Sequence, residues 1–409
     1  MATPIELPNR RTQAELFGSA EKSFDSKFKL LTEARYSILI STFTIKADVF
    51  YSPDEVARNL ANILIEKHRS GLEVKVFTDY WGNVPSTRKE IKRMLSAGVD
   101  VRYFAHHTNV FELAKISWNG LLKINLEKLY HGKTLVVDGW HSCTGGYNWM
   151  SGETKSNQLW RDTDLCLSGP ISRQVSEDFY KFFNRLNRLV PGNTQPETQY
   201  LYPPCEPEHE DEYFTQAPWL DDGKTPINDR ILDLLHCAKP GDHIYWQSFS
   251  FRPQEKYLRA IEEIASRGVK VTILTNSRRS MANQLMFVYL PPARRILLDK
   301  MYGEAKRYYQ TIIDLSSENP VELFEYDSPY GPMHAKAFLL LEAETVDSLL
   351  SGYTNTTFKG IAGAGTYNVS PNSWDQHIET MIFTNRPNIV KDLYELYMQD
   401  IAWCTLQNK

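Results

Sequence analysis

A repeat constrains this chain more than any other feature, because a segment present twice sets the number of folding units before any residue is assigned. Residues 37–43 (SILISTF), a helical stretch and residues 70–79 (SGLEVKVFTD) match residues 243–249 (HIYWQSF), a second helical stretch and residues 267–276 (RGVKVTILTN). Each set reads as a buried strand, an amphipathic helix and a second β-branched strand. The helices, over about 54–70 and 254–267, carry apolar residues at three- and four-residue spacing. They stop at Gly71 and Gly268, where a helix exit needs a left-handed residue. A strand–helix–strand unit implies parallel pairing and a right-handed crossover. The expected fold is therefore α/β: two similar lobes from an internal duplication, each a mixed sheet flanked by helices.

The first lobe is read over 1–190 and the second over 226–409, joined by a proline-rich, acidic linker at 191–225. Residues 278–318 have no counterpart in the first half and read as a helical insertion. With 409 residues, 42% hydrophobic and 23% charged, the chain can bury a core in each lobe. Lys+Arg 46 against Asp+Glu 50 leaves a net charge of −4, which argues against affinity drawn from a broad cationic surface for nucleic acid. No apolar run is long enough to span a bilayer. Residues 1–17 lack the apolar core of a secretory signal. The five scattered cysteines read as neither a disulfide framework nor a CxxC metal pattern. These features describe a soluble, cytoplasmic chain of a reduced compartment that meets a membrane only from its surface.

The chemistry sits in two matched clusters. His131 and Lys133 stand two apart at the start of an apolar run ending at Asp138, and Gly145, Gly146 and Asn148 follow. Alternate side chains of a strand share a face, so the pair points one way. A strand over 133–138, a turn at 139–141 and a return over 142–146 bring Asn148 back beside it. The two glycines are read as backbone left open for a ligand. His334 and Lys336 repeat the pair. There a turn over 342–347 and a return over 348–352 lead to Asn355. The alternative, Asn368 in GTYN at 365–368, matches the first half's letters better but lacks an apolar strand before it. Downstream, Asp162 and Glu379 each open an apolar strand. With ten histidines and lysine at roughly 6% of residues, chance supplies about 0.6 His-x-Lys matches, so two in register carry weight.

Two imidazoles offer a nucleophile and a general acid near neutral pH. A carboxylate on the far nitrogen fixes the tautomer and raises basicity. Lysine and carboxamide donors suit a phosphodiester whose non-bridging oxygens gain charge in the transition state. The sequence offers no carboxylate cluster for magnesium and no Cys/His ligand set, so the expected chemistry uses no cofactor and no metal.

His-x-Lys-x4-Asp followed by Gly-Gly-x-Asn, with WRDTDLCLSGP at 160–170, resembles the phospholipase D superfamily. The first half is most similar to bacterial cardiolipin synthases and related phosphatidyltransferases. The resemblance implies two α/β lobes with one active site at their pseudo-twofold interface, and metal-independent transfer through a covalent phosphohistidine. It makes His131 the nucleophile and His334 the acid, or the reverse. Lys133, Lys336 and Asn148, with Asn355 or Asn368, would hold the phosphoryl oxygens. It pairs the carboxylates across the interface, Glu379 with His131 and Asp162 with His334. One departure stands out: Leu341 occupies the place of Asp138 in the second motif, a loss read as structural.

The leading substrate reading is a glycerophospholipid with an alcohol or water acceptor, approached from the membrane surface. Apolar stretches at 116–126 and 286–290 could contact lipid. The alternative is a nuclease of the same chemistry, with Arg278, Arg279, Arg294, Arg295, Lys306 and Arg307 lining a basic groove.

Overall fold

The computed structural model describes residues 5–7, 12–46, 55–80, 82–83, 89–104, 128–150, 160–185, 200–201, 210–285, 291–329, 331–352 and 356–407. Two large mixed sheets organise it. The first runs, edge to edge, Gln13–Phe17, Asp164–Ser168, His141–Gly145, Thr134–Val137, Ser37–Thr42, Glu73–Asp79, Asp100–Phe104. The second runs Asp211–Gln216, Glu379–Thr384, Gly360–Gly365, Ala337–Leu341, His243–Gln247, Lys270–Asn276, Val321–Tyr326, with Cys404–Leu406 added at the far edge. Strand for strand the orders coincide. In each sheet the last three shared strands are parallel and the others antiparallel.

The repeated units form as their pattern dictates. Helix Glu55–Arg69 buries Val56, Ala57, Leu60, Ala61 and Leu64, and helix Glu255–Ser266 buries Tyr257, Ala260, Ile261, Ile264 and Ala265. Gly71 and Gly268 follow them with φ of 93° and 92°, a region open to glycine at little cost. The central strands are buried along their whole length, and the consecutive apolar residues at 38–40 and 244–246 fill both of their faces. On Ser37–Thr42, Ile38 and Ile40 face one core while Leu39 faces another, shared with helix Ile171–Phe183.

Two of the four apolar cores span both lobes. Leu165, Leu167 and Ile171 of the first lobe pack with Tyr245, Ile382, Leu393 and Tyr397 of the second. Ala217 and Ile378 of the second lobe pack with Phe77, Tyr130 and Phe179 of the first. The lobes are thus joined by continuous core rather than by a polar contact surface.

Four expectations change. The segment read as a linker carries Asp211–Gln216, which pairs with Glu379–Thr384 as Gln13–Phe17 pairs with Asp164–Ser168, so the second repeat begins inside it. The segment read as an insertion is an enlarged crossover: helices Arg278–Leu285 and Pro291–Ser316 stand where the first lobe has Lys89–Ser96. The return strand expected at 348–352 is part of helix Ala343–Leu350, and the strand that pairs with Ala337–Leu341 is Gly360–Gly365. That strand, GIAGAG, has no apolar signature because its neighbours leave no room for side chains. A Cβ on Gly363 would press on Phe383, and one on Gly360 or Gly365 on the backbone of Leu340 or Thr380. Finally, Cys143 and Cys166, directly opposite on paired strands with Cα atoms 4.0 Å apart, form a disulfide. Strand register created that pair, and such bonds persist in oxidising compartments, so the cysteine count does not support a reduced one.

Asp138 explains the Leu341 departure. Its carboxylate accepts hydrogen bonds from the backbone amides of Arg35, Tyr36 and Ser37, fixing the turn into the first repeated strand. In the second lobe the acid has moved across the same junction. Asp242, just before His243, accepts from Ala343 just after the motif strand, and from Lys239. Either carboxylate ties the end of the motif strand to the start of its neighbour. Asp138→Ala strands three amides, one at a buried residue, and should cost about 1–3 kcal/mol in urea unfolding. Asp242→Ala should cost a similar amount, and unchanged midpoints would refute the structural role.

Candidate active site

Two isolated backbone bridges cross between the lobes, and each delivers a histidine to a carboxylate. Tyr130 pairs with Ile378 and Arg161 with Met333, both parallel. His131 N donates to Ile378 O (2.8 Å) and His334 N to Arg161 O (2.6 Å). Beside these bonds His131 Nδ1 meets Glu379 Oε2 at 2.8 Å, and His334 Nδ1 meets Asp162 Oδ2 at 2.5 Å. The pairing is crossed, each imidazole held by the other lobe's acid. Both acids are held on their second oxygen as well: Ser373 Oγ donates to Glu379 Oε1 (2.7 Å), and Thr163 N to Asp162 Oδ1 (2.8 Å).

The residue before each histidine is also pinned. Tyr130 N donates to Asp79 Oδ2 (2.9 Å) and Met333 N to Asn276 Oδ1 (3.0 Å), from the matching ends of the repeated strands. Lys133 Nζ donates to His131 O at 2.8 Å, and Lys336 Nζ likewise to His334 O. Both lysines and Asn148 are buried. The Lys133 ammonium bears on both imidazoles, and Lys336 on His334 and Asp162, so the charges of the two motifs act on one another.

Asn355 lies outside the described residues, while Asn368 occupies the place of Asn148. Gly145 N donates to Lys133 O and Gly365 N to Lys336 O; Met150 N donates to Asn148 O and Ser370 N to Asn368 O, each of the latter at 2.9 Å. The expectation for the glycine pair needs correction. The room beside Gly146 is filled by the Asp162 carboxylate, and that beside Gly145 by Thr163 and Asp164, so the glycines admit the acid's strand rather than a ligand.

Sequence reasoning missed the rings around the histidines. Phe43 and Phe249, at matching strand ends, lie 5.6 Å from His131 and 5.9 Å from His334 between centroids. Trp160 lies 4.9 Å from His334 and His377 lies 5.7 Å from His131. The last two stand two residues before Asp162 and Glu379, a register legible once the acids are aligned. The stretches at 116–126 and 286–290 fall outside the described residues. Of the basic groups expected to line a groove, Arg278 pairs with Asp299 and Arg279 with Asp327.

Burial is the main influence on both imidazoles and holds them below their ordinary range, against the pull of their carboxylates: His131 is brought to about 3 and His334 to about 4. Burial opposes ionisation of the acids too, but Lys336 and His334 outweigh it at Asp162, and His131 and His377 at Glu379, leaving both carboxyls below their usual values. The resting site therefore holds neutral imidazoles on ionised acids.

The family model described as cardiolipin synthase, PLD-like domain, matches residues 28–186 and 231–401, and the chain belongs to this family. It is 21% identical over 398 residues to a probable cardiolipin synthase of Bacillus subtilis (strain 168), covering 96% of this chain and 67% of that protein. It is 23% identical over 397 residues to cardiolipin synthase A of Pseudomonas fluorescens (strain SBW25), covering 95% and 68%. Among solved structures, phosphatidylserine synthase of Haemophilus influenzae Rd KW20 shares the fold with a TM-score of 0.68 at 14% identity, covering 97% of this chain and 88% of that one.

The depressed imidazoles carry a stability consequence. Below pH of about 6.5 the unfolded chain takes up protons that the native histidines refuse, so stability should fall as pH drops from about 6.5 toward 4.5. The slope is at most about 1.4 kcal/mol per pH unit for each histidine. The acids act lower, losing their contribution only below about 4.5. Urea unfolding across that window should give a shallower slope for the His131→Asn/His334→Asn double variant; an unchanged slope would contradict the assignment.

Proposed function

We propose that the chain transfers a phosphatidyl group between alcohols, acting on a glycerophospholipid from the membrane surface through a phosphohistidine. The reading rests on one observation, the crossed His131–Glu379 and His334–Asp162 pairs with a lysine beside each. The family and its cardiolipin synthase relatives support a phospholipid substrate. Among the described residues no helix is long and apolar enough to cross a membrane, in keeping with surface action.

In this reading His131 is the nucleophile, its side chain being 14% exposed against 8% for His334. Its Nε2 lone pair attacks phosphorus while Nδ1–H stays on Glu379, which offsets the imidazolium that forms. The phosphorus–oxygen bond to the departing alcohol breaks, and His334 Nε2–H supplies the proton that alcohol needs. In the second half the acceptor alcohol, or water, gives its proton to His334 and attacks phosphorus, releasing His131. Lys133, Lys336, Asn148 and Asn368 donate to the phosphoryl oxygens as their charge grows.

The acid His334 must be protonated, yet Lys336 and Lys133 both disfavour this after burial has. An anionic phosphodiester between the lysines cancels their effect, so the substrate itself raises His334. Accordingly the basic limb of kcat should lie at higher pH than that of kcat/KM, because the first reports the complex and the second the free enzyme. Coincident limbs would contradict this.

Purified protein with phosphatidylglycerol vesicles and a primary alcohol should yield a new phospholipid, and His131→Ala or His334→Ala should lower turnover by on the order of 10⁴-fold or more. Substrate carrying labelled phosphorus should leave the label on the His131 peptide in the His334→Ala protein. Label on the other histidine peptide would reverse the roles, and cleavage of single-stranded DNA with lipid left inert would replace the substrate class.

A further inference from the structure

We propose that His131, His377 and Glu379 form a site for one Zn²⁺ ion, and that the bound ion takes His131 out of the transfer reaction. The first half of the proposal stands on geometry alone; the second rests on the function proposed for His131.

One donor atom from each of the three residues lies within 4.8 Å of the others. Glu379 sits between the rings, with Oε2 at 2.8 Å from His131 Nδ1 and Oε1 at 3.6 Å from His377 Nδ1. Tetrahedral zinc with bonds near 2.0–2.2 Å needs donors about 3.4 Å apart. The two distances run to different oxygens, so one carboxylate oxygen must come to that distance from both rings while the imidazole donors close from within 4.8 Å. His377 can supply that movement. It lies in the short connection between helix Pro371–Asp375 and strand Glu379–Thr384, and its buried Nε2 makes no hydrogen bond among the described residues that a turn of the ring would break. Ser373 Oγ on Glu379 Oε1 supplies the outer-shell contact that orients a ligating carboxylate.

Two imidazoles and a carboxylate are a donor set suited to zinc with a fourth position open to water or a phosphate oxygen. The pseudo-twofold counterpart of His377 is Trp160, whose indole nitrogen has no lone pair to give. The Asp162–His334 pair therefore has two donors, and one site per chain is expected. Neutral His131 carries one ring proton, on Nδ1; when zinc takes that nitrogen the proton moves to Nε2, and acid weakens binding by protonating the imidazoles. With zinc on Nδ1 and the proton on Nε2, His131 has no lone pair to offer phosphorus.

The full chain, stripped with chelator and dialysed, would be titrated with zinc chloride against a chromophoric competitor. One equivalent should bind, and His377→Trp, which copies the other lobe, should weaken binding at least tenfold. His377→Asn serves as the second variant, with circular dichroism confirming that each is folded. In the lipid transfer assay zinc should inhibit the wild type, and chelator should restore it. No stoichiometric binding, or wild-type affinity in both variants, overturns the site. Stoichiometric binding with transfer uninhibited overturns the role of His131 as a ligand. Stoichiometric binding lost in both variants, in a protein inert toward lipid, supports the site while failing the proposed function.

Discussion

Two short backbone bridges between the lobes, Tyr130 with Ile378 and Arg161 with Met333, are what the site depends on. Each leaves a histidine of one lobe hydrogen-bonded through its amide to the strand that begins the other lobe's acid, so the imidazole and carboxylate meet at hydrogen-bond distance with little freedom left. Neither lobe contains a complete pair. The shared cores of Leu165, Leu167 and Tyr397 on one side and Phe77, Phe179 and Ile378 on the other hold that register, because close-packed apolar surfaces do not slide without opening cavities. A substitution in either core would thus act on the chemistry through the distance between the lobes.

Duplication gave two copies of each constraint, and the copies have met them differently. Asp138 ties the motif strand to its neighbour in the first lobe, whereas Asp242 does so from the opposite side in the second, which freed position 341 to become a buried leucine. Gly146 makes space for the Asp162 carboxylate, while Thr366 at the matching place carries a side chain whose Oγ1 accepts from Thr380 N at 2.9 Å. Trp160 and His377 flank the two imidazoles with an indole on one side and a third imidazole on the other. Asymmetry of this kind would let the two histidines take the different parts proposed for them.

The electrostatics follow from enclosure. Buried imidazoles resist protonation, buried lysines reinforce this, and ionised acids hold the tautomer. In the proposed reaction a phosphodiester would meet the lysines at the moment when a proton on the acidic histidine becomes useful. The cation needed is local, which reconciles it with a chain whose net charge is −4.

Local pattern carried much of this into the sequence. The repeated strand–helix–strand units, the His-x-Lys pairs and the acids Asp162 and Glu379 were legible because period, turn residues and reactive side chains are properties of neighbours along the chain. The crossing of the pairs entered only through family resemblance. Folding alone decided the rest. The strand Gly360–Gly365 hides in five small residues and one isoleucine because Phe383, Leu340 and Thr380 fill the space beside it, so Asn368 rather than Asn355 follows the return strand. The disulfide of Cys143 with Cys166, the strand within the linker, and the meeting of His377 with His131 likewise join residues through register or packing. A one-dimensional pattern records which side chains share a face of their own element. It holds no record of what stands opposite that face, and the distances at which these groups react are set there.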